Sequence, residues 1–519
     1  MAYIDISDPP IYGSSNKAAD ILKKYKEAEG IKDYWKEKFE EAYEYCLPNR
    51  ESFYDESPGQ RRTDKIFDET AVVGVQEFAS RLQAGITPTF ARWADFQAGT
   101  EIPLEQKPSV NEELDKITDY VFEILQTSNF NQEIHEAFMD LAIGTGILLV
   151  EEGDSVNPIK FTSVPLTRVC LMNGPDGKID TVYRTRTCKP NEINILYPRA
   201  VLPENFDPLK QKKQIKIIES IYKVYEDNVE KYKFCVVMEN PKHILLEEEY
   251  VGEGSNPYLV FRWNKASGEV YGRGPVFNAM GAIKTCNLTI ELILQNAQMS
   301  VSGVYTYEDD GVINPDNISL VPGSLIPVAP GSKGLLPIQA ASNFDVAQLV
   351  LNDMRQNIKK ALYMEALGRP EGTPMTATEV SERMADLSRQ IGASFGRLQS
   401  ELINPLLRRI IRILSKQGRI DIPKVNGREV KIAPRSPLAQ AQHLQDVADV
   451  TRFNEIIAGT FGPQMINLIV DQNQTAKYLA EKMNLPEKLI RDEEEQKELV
   501  DKMSQLQQSA EGGEAPPGA

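Results

Sequence analysis

GTGILLVEEG, residues 144–153, is where the chain changes its periodicity. Up to Ile143 apolar residues recur every three or four positions, whereas from Thr145 they come as short β-branched runs closed by Gly, Pro or Asp. The first spacing puts one face of a helix on a core and the second suits half-buried strands, so Gly144 is read as a helix-to-strand turn. Downstream, IKFTSV, TRVCLM, DTVYRTRT, KIIESIYKVY and KYKFCVVM repeat the strand texture, and residues 145–265 are expected to form a β-rich unit. Upstream, three helical stretches are expected. They are Ser14–Cys46 with a break at Gly30, Ile66–Ala84 stopped by Gly85 and Pro88, and Asn111–Ile143.

Beyond the β-rich unit the helical period returns over Tyr271–Ser302 and again over Asn343–Leu367. Between them Pro315, Pro322, Pro327, Pro330 and Pro337 punctuate a compact strand-and-loop excursion. After Pro374, Thr376 and Glu379 have the spacing of a capping box, in which hydroxyl and carboxylate satisfy each other's exposed amides. Val380, Met384, Leu387, Ile391, Phe395, Leu398, Leu402, Leu406, Ile410 and Leu414 follow as one stripe. At ~1.5 Å per residue that helix is roughly 50 Å long, with a kink expected at Pro405. Such a length suits an elongated or shared architecture. Residues 436–503 read as helical, and the polar tail 504–519 lacks the apolar content to order itself. The fold class is therefore mainly α with a β-rich part (α+β).

The 519 residues carry 58 Lys and Arg against 75 Asp and Glu, a formal charge of −17, and 41% are hydrophobic. Those figures exclude a small stapled scaffold and a wholly disordered chain, and they fit about three or four structural units. They also exclude a static DNA coat, which needs a clustered positive footprint. Cys46, Cys170, Cys188, Cys235 and Cys286 are scattered, which argues against disulfides or a zinc knuckle and for a reducing compartment. The N-terminus MAYIDISDPP has neither a basic nor an apolar leader region, and no stretch approaches a membrane span, so a soluble chain is expected.

Catalytic chemistry is hard to find. His135, His243 and His443 lie far apart in sequence. Gly144 and Gly146 begin like a dinucleotide fingerprint, but its third glycine position is Leu149 and the order runs from helix to strand. Neither a phosphate-binding G-x-x-x-x-G-K-[ST] loop nor a G-x-S-x-G elbow occurs. Glu247–Glu249 and Glu493–Glu495 read as solvated faces. No catalytic residue, cofactor or metal ligand is assigned. The remaining feature is charge: residues 404–435 hold nine basic residues against two acidic, a net of +7, and residues 491–519 three against eight, a net of −5. The basic patch Arg408, Arg409, Arg412, Lys416 and Arg419 serves either helix-dipole compensation and surface pairing, or contact with phosphates or an acidic neighbouring subunit.

Three blocks carry a resemblance. The first runs through Tyr34, Trp35, Glu41, Tyr45, Leu47 and Pro48 to Gly59, Arg61 and Arg62. It continues over Ile66, Phe67, Asp68, Thr70 and Ala71 to Ala79, Ser80, Arg81 and Leu82, and closes on Thr87, Pro88, Arg92 and Trp93. The second is YGRGP, Tyr271–Pro275, and the third PMTATEV, Pro374–Val380, followed by ELINPLLRR, Glu401–Arg409. In this order they resemble the portal, or head-to-tail connector, family of short-tailed double-stranded DNA bacteriophages.

That resemblance implies an elongated subunit with wing, stem, clip and crown, assembled with about twelve copies into a ring at one capsid vertex. By order along the chain, residues 1–144 and 145–265 would be wing parts, 266–302 and 344–366 stem helices, and 303–343 the clip. Residues 367–376 would form the tunnel loop, 377–435 the long wing helix and a following strand, and 436–503 the crown. The ring would pass double-stranded DNA without sequence specificity during packaging and ejection, with no catalysis of its own. Its partners would be terminase, major capsid and scaffolding proteins, a tail adaptor and internal core proteins, assembled in the host cytoplasm and carried in the virion. Lys284, Arg355, Lys359, Lys360 and Arg369 are the DNA-channel candidates. A tail or adaptor ring protein is the nearest alternative. A metal-dependent nuclease or phosphotransferase is the alternative from another class.

Overall fold

The computed structural model describes residues 15–54, 63–103, 106–204, 206–208, 213–225, 230–302, 305–306, 336–337, 344–364, 392–422, 429–462 and 469–482. The expected tunnel loop with Arg369, the PMTATEV block, most of the Pro-rich excursion and the 504–519 tail lie outside them.

Helix α1 (Ser15–Cys46) leads into α2 (Thr70–Ile86), strand β1 (Ala94–Ala98), α3 (Lys107–Thr127) and α4 (Phe130–Ile143). The break expected at Gly30 is absent, because the glycine sits on the exposed side and α1 is buried on both sides of it. Ala18, Ile21, Leu22 and Tyr25 pack on one core, and Phe39, Ala42 and Tyr43 on another. Burial on that scale outweighs the roughly 1 kcal/mol that a mid-helix glycine costs. The stretch expected as one helix over Asn111–Ile143 is two, separated at Ser128 and Asn129. The Asn129 amide donates to the Phe161 carbonyl (2.8 Å) and accepts from the Phe161 N–H (3.1 Å). It thereby closes the free edge of a strand, a contact that a helix interior would not allow.

That strand belongs to a three-stranded antiparallel sheet ordered β3 (Ile159–Ser163), β2 (Thr145–Glu152), β9 (Tyr258–Arg262). A second sheet is an antiparallel meander of β4 (Val169–Asn173), β5 (Ile179–Cys188), β6 (Ile215–Val224), β7 (Lys231–Met238) and β8 (His243–Val251). A one-turn helix, α5 (Ile193–Leu196), lies between β5 and β6. Alternation along β6 works as a half-buried strand should: Ile218 joins the core under α1, and Ile217 the core on the other face with Ile193 and Tyr197. The Glu run lies in β8, where Glu249 is exposed, Glu247 and Glu248 are half-buried, and Lys17 of α1 pairs with Glu247.

GTGILLVEEG begins at the α4-to-β2 junction, and the junction has a tight physical cause. A side chain on Gly144 would collide with the Gly272 carbonyl, and one on Gly274 with the Ala142 carbonyl. The Gly272 N–H donates to Thr145 Oγ1 (2.9 Å) and the Gly274 N–H to the Ile143 carbonyl (2.7 Å). The GTG turn and the YGRGP block therefore interlock backbone to backbone. YGRGP then opens α6 (Pro275–Ser302).

The pair β10 (Tyr305–Thr306) and β11 (Leu336–Pro337) is antiparallel, and α7 (Phe344–Ala361) follows. The helix expected to reach residue 366 stops earlier. Tyr363 turns left-handed (φ 57°), and Met364 N–H bonds back to the Lys359 carbonyl at 2.8 Å, a Schellman-type stop. Residues 392–398 are α8, and the kink expected at Pro405 takes the form of a π turn over Gln399–Ile403 directly before α9 (Asn404–Lys416). Proline cannot donate to the carbonyl four residues back, and the wider turn accommodates its ring. Glu401 fastens this turn to β9 by accepting from Arg262 N–H (3.0 Å) and Nη2 (2.6 Å). Strand β12 (Val430–Pro434) pairs with β1, placing a strand inside the expected all-helical N-terminal part, and α10 (Pro437–Phe461) and α11 (Gln472–Lys482) follow.

Candidate functional site

Helices α6 and α7 pack side by side, with Val276, Ile283 and Asn287 of α6 and Leu351 and Ile358 of α7 buried. Their inner sides meet the loop before α2 in one polar node. Asn287 Oδ1 accepts from the N–H groups of Phe67 (2.7 Å) and Asp68 (3.0 Å), while its Nδ2 donates to the Ile283 carbonyl (2.9 Å). Asp68 Oδ1 accepts from Thr70 N–H (2.9 Å) and Oδ2 from Arg355 Nε (2.7 Å). Burial works to raise the Asp68 carboxyl, but the bonds from Thr70 and Arg355 hold it below the usual carboxylate range.

The channel candidates therefore divide. Arg355 is committed to buried Asp68, and Lys284 pairs with Glu41 of α1. Lys359 and Lys360 lie exposed in the last turn of α7, where the helix dipole favours cations, with no ion pair to any described residue. Arg369 is outside the described residues.

The basic patch on α9 and the turn after it bonds back onto its own chain. Arg409 Nε donates to the Val150 carbonyl (3.1 Å) and Nη1 to the Ser255 carbonyl (3.0 Å). Its burial pushes the guanidinium down to about 10, which leaves it charged at neutral pH. Arg412 donates to the Val251 carbonyl, Lys416 pairs with Glu152 (2.6 Å), and Arg419 Nη2 donates to the Ser155 carbonyl (2.9 Å). Arg408 is half-buried. Four of these five cations thus pin α9 to the ends of β2 and β8 and to the loops beside them. Periodicity identified the helix but not the carbonyls opposite it.

Two buried charge nodes had no sequence signal beyond isolated residues. Asp140 accepts from Tyr43 OH (3.0 Å) beside Arg50, and burial raises its carboxyl to about 6 against the pull of that arginine. Glu219, 5% exposed, accepts from Tyr258 OH (2.6 Å) and Tyr197 OH and faces Arg184 and Arg186. Both tie elements together. Among the described residues no three His, Cys, Asp or Glu side chains converge as a metal site, and no helix is long and apolar enough to cross a membrane. His135 Nδ1 meets Gln83 Oε1 (3.1 Å) and His243 Nε2 meets the Val201 carbonyl (2.9 Å), on different elements.

The chain is 23% identical to the probable portal protein of Bordetella phage BPP-1, over 91% of this chain and 88% of that one. It is 22% identical to the portal protein of Salmonella phage epsilon15, over 75% and 73%. The corresponding figures for the portal protein of Escherichia phage T7 are 20%, over 61% and 59%. A solved virion of a native gene transfer agent aligns with 81% of this chain and 94% of its own at 13% identity, with a TM-score of 0.36. The family model for the bacteriophage head to tail connecting protein matches residues 18–490, which takes in every helix and sheet described above except the first three residues of α1. The chain belongs to the bacteriophage head to tail connecting protein family.

Proposed function

We propose that about twelve copies of this chain close into a ring at one capsid vertex and form the conduit through which double-stranded DNA is packaged and ejected. The family match over residues 18–490 is the observation that carries this reading. On it, α6 and α7 line the channel, and residues 303–343 form the clip that meets terminase during packaging and the tail adaptor afterwards. Residues 367–376, with Arg369, form the tunnel loop. Residues 1–144 and 145–265, with the long helix and following strand over residues 377–435, form the wing against capsid and scaffolding proteins. Residues 436–503 form the crown toward the internal core proteins.

Charge supports a sliding contact rather than a gripping one. Each phosphate neutralised by the wall raises affinity and slows movement, so a conduit needs few free cations. Lys359 and Lys360 on α7 fit that need, since Lys284 and Arg355 are already paired within the chain. The chain's −17 is compatible with a wall that repels a polyanion rather than holding it. The protein contributes no catalysis, and the terminase supplies the work.

Particle images of the purified protein test this reading. Closed rings with a central hole wide enough for duplex DNA are expected; particles without a hole contradict it. The pure protein is also expected to leave duplex DNA intact with Mg²⁺, and cleavage abolished by chelator would favour the nuclease alternative.

A further inference from the structure

Helix α6 carries apolar residues on two opposite sides. One side is buried against its own chain, through Val276, Ile283 and Cys286. The other carries Gly281, Thr285, Leu288 and Leu292, all exposed, with the two leucines 56% and 55% accessible. Their spacing of four, three and four is that of a helix seam that packs on another helix. The Thr285 hydroxyl donates to the Gly281 carbonyl (2.9 Å), so the stripe presents no unmet donor. A mid-helix glycine is less favourable than alanine, because it loses more backbone freedom on folding. No described residue requires this one, because a side chain there would meet open space.

Helix α7 carries the matching feature. Leu349 is 73% exposed. Asn287 and Arg355 both bond to Asp68 and so sit at one level of the helix pair. The antiparallel β10–β11 pair joins the far ends, so α6 and α7 run in opposite directions. Leu292 lies about five residues beyond Asn287 and Leu349 about six before Arg355, which places both roughly 8 Å along in the same direction.

The geometry points to a joint between copies: the Gly281–Thr285–Leu288–Leu292 face of α6 docks on the Leu349 face of α7 in a second copy of this chain. This rests on the ring reading above. Rotation about a ring axis preserves height, so two different patches at one level on one subunit meet between neighbours, as a head-to-tail interface requires. The half-exposed leucines offer on the order of 300 Å² in all, well short of the roughly 800 Å² per partner of a stable two-body complex. The contact therefore contributes within a ring, where each copy uses one face on each neighbour, rather than in an isolated pair.

Two variants test it. Gly281→Trp fills open space in the subunit, so the thermal midpoint of the monomer should be unchanged while ring yield falls by about tenfold or more. In a Leu292→Cys/Leu349→Cys double variant, oxidation should give a ladder of covalent multimers on a denaturing gel. The native thiols stay out of this reaction, since all five are buried and burial pushes Cys46 up to about 12 and Cys170, Cys235 and Cys286 to about 11. If the parent protein forms rings, Gly281→Trp forms them equally well and the double variant gives no multimers, the joint is wrong while the ring stands. A parent protein that stays monomeric overturns the ring reading and this joint together.

Discussion

The two groups of basic residues, on α9 and on α6 with α7, look alike in the sequence and behave differently in the fold. On α9, Arg409 and Arg412 aim their planar forks at backbone carbonyls and Lys416 finds a carboxylate, so the cations act as staples within the chain. On α6 and α7, Lys284 and Arg355 are also paired, but Lys359 and Lys360 in the last turn of α7 remain in solvent. Net charge along a segment therefore says little about DNA contact. What matters is whether the fold places acceptors opposite each cation, and arginine's several fixed donors make it the easier residue to bind internally.

The contrast can be broken at either group. Arg409→Met should have the largest effect, lowering stability by about 2–3 kcal/mol in denaturant unfolding, because the carbonyls of Val150 and Ser255 lose their donor. An unchanged denaturation midpoint would return Arg409 to the pool of free cations. Asp68→Asn should cost less, about 1–2 kcal/mol. The Asp68 carboxyl is held below its ordinary range, so its stabilisation is present at neutral pH and lost as pH falls through the folded value. In the variant that acid-side loss should shrink.

Asp140 has the opposite sign. Its carboxyl is raised to about 6 by burial, against about 3.9 in an unfolded chain, so its contribution is greatest below pH ~4 and declines up to about 6. Stability of Asp140→Asn measured from pH 4 to 6 should lack that decline; a parallel curve would mean that Asp140 titrates normally. The smallest effect on stability belongs to Lys359→Ala/Lys360→Ala, within ~0.5 kcal/mol. If these lysines meet DNA, the same variant should alter packaged-genome retention. Unchanged retention would remove them from the channel.

Period changes made much of the fold readable. The turn at Gly144 and the helices on either side of residues 145–265 are visible because a spacing of three or four gives way to alternation. Strands β8 and β9 were harder to see. HILLEEEYV carries a Glu run that resembles a solvated face, and YLVFR is a short apolar run without alternation. β1 offers only ADFQA, and its partner β12 lies more than three hundred residues away. The same limit applies to the site. A helical stripe shows which residues face a core, but not that Arg409 faces Val150, that Gly274 fits only against Ala142, or that Asp68 holds both α6 and α7.

Native mass over a range of concentrations decides whether the chain closes into a ring. A closed assembly of about twelve 58.3 kDa chains, roughly 700 kDa, that persists on dilution is expected. A stable monomer or dimer at every concentration would contradict it.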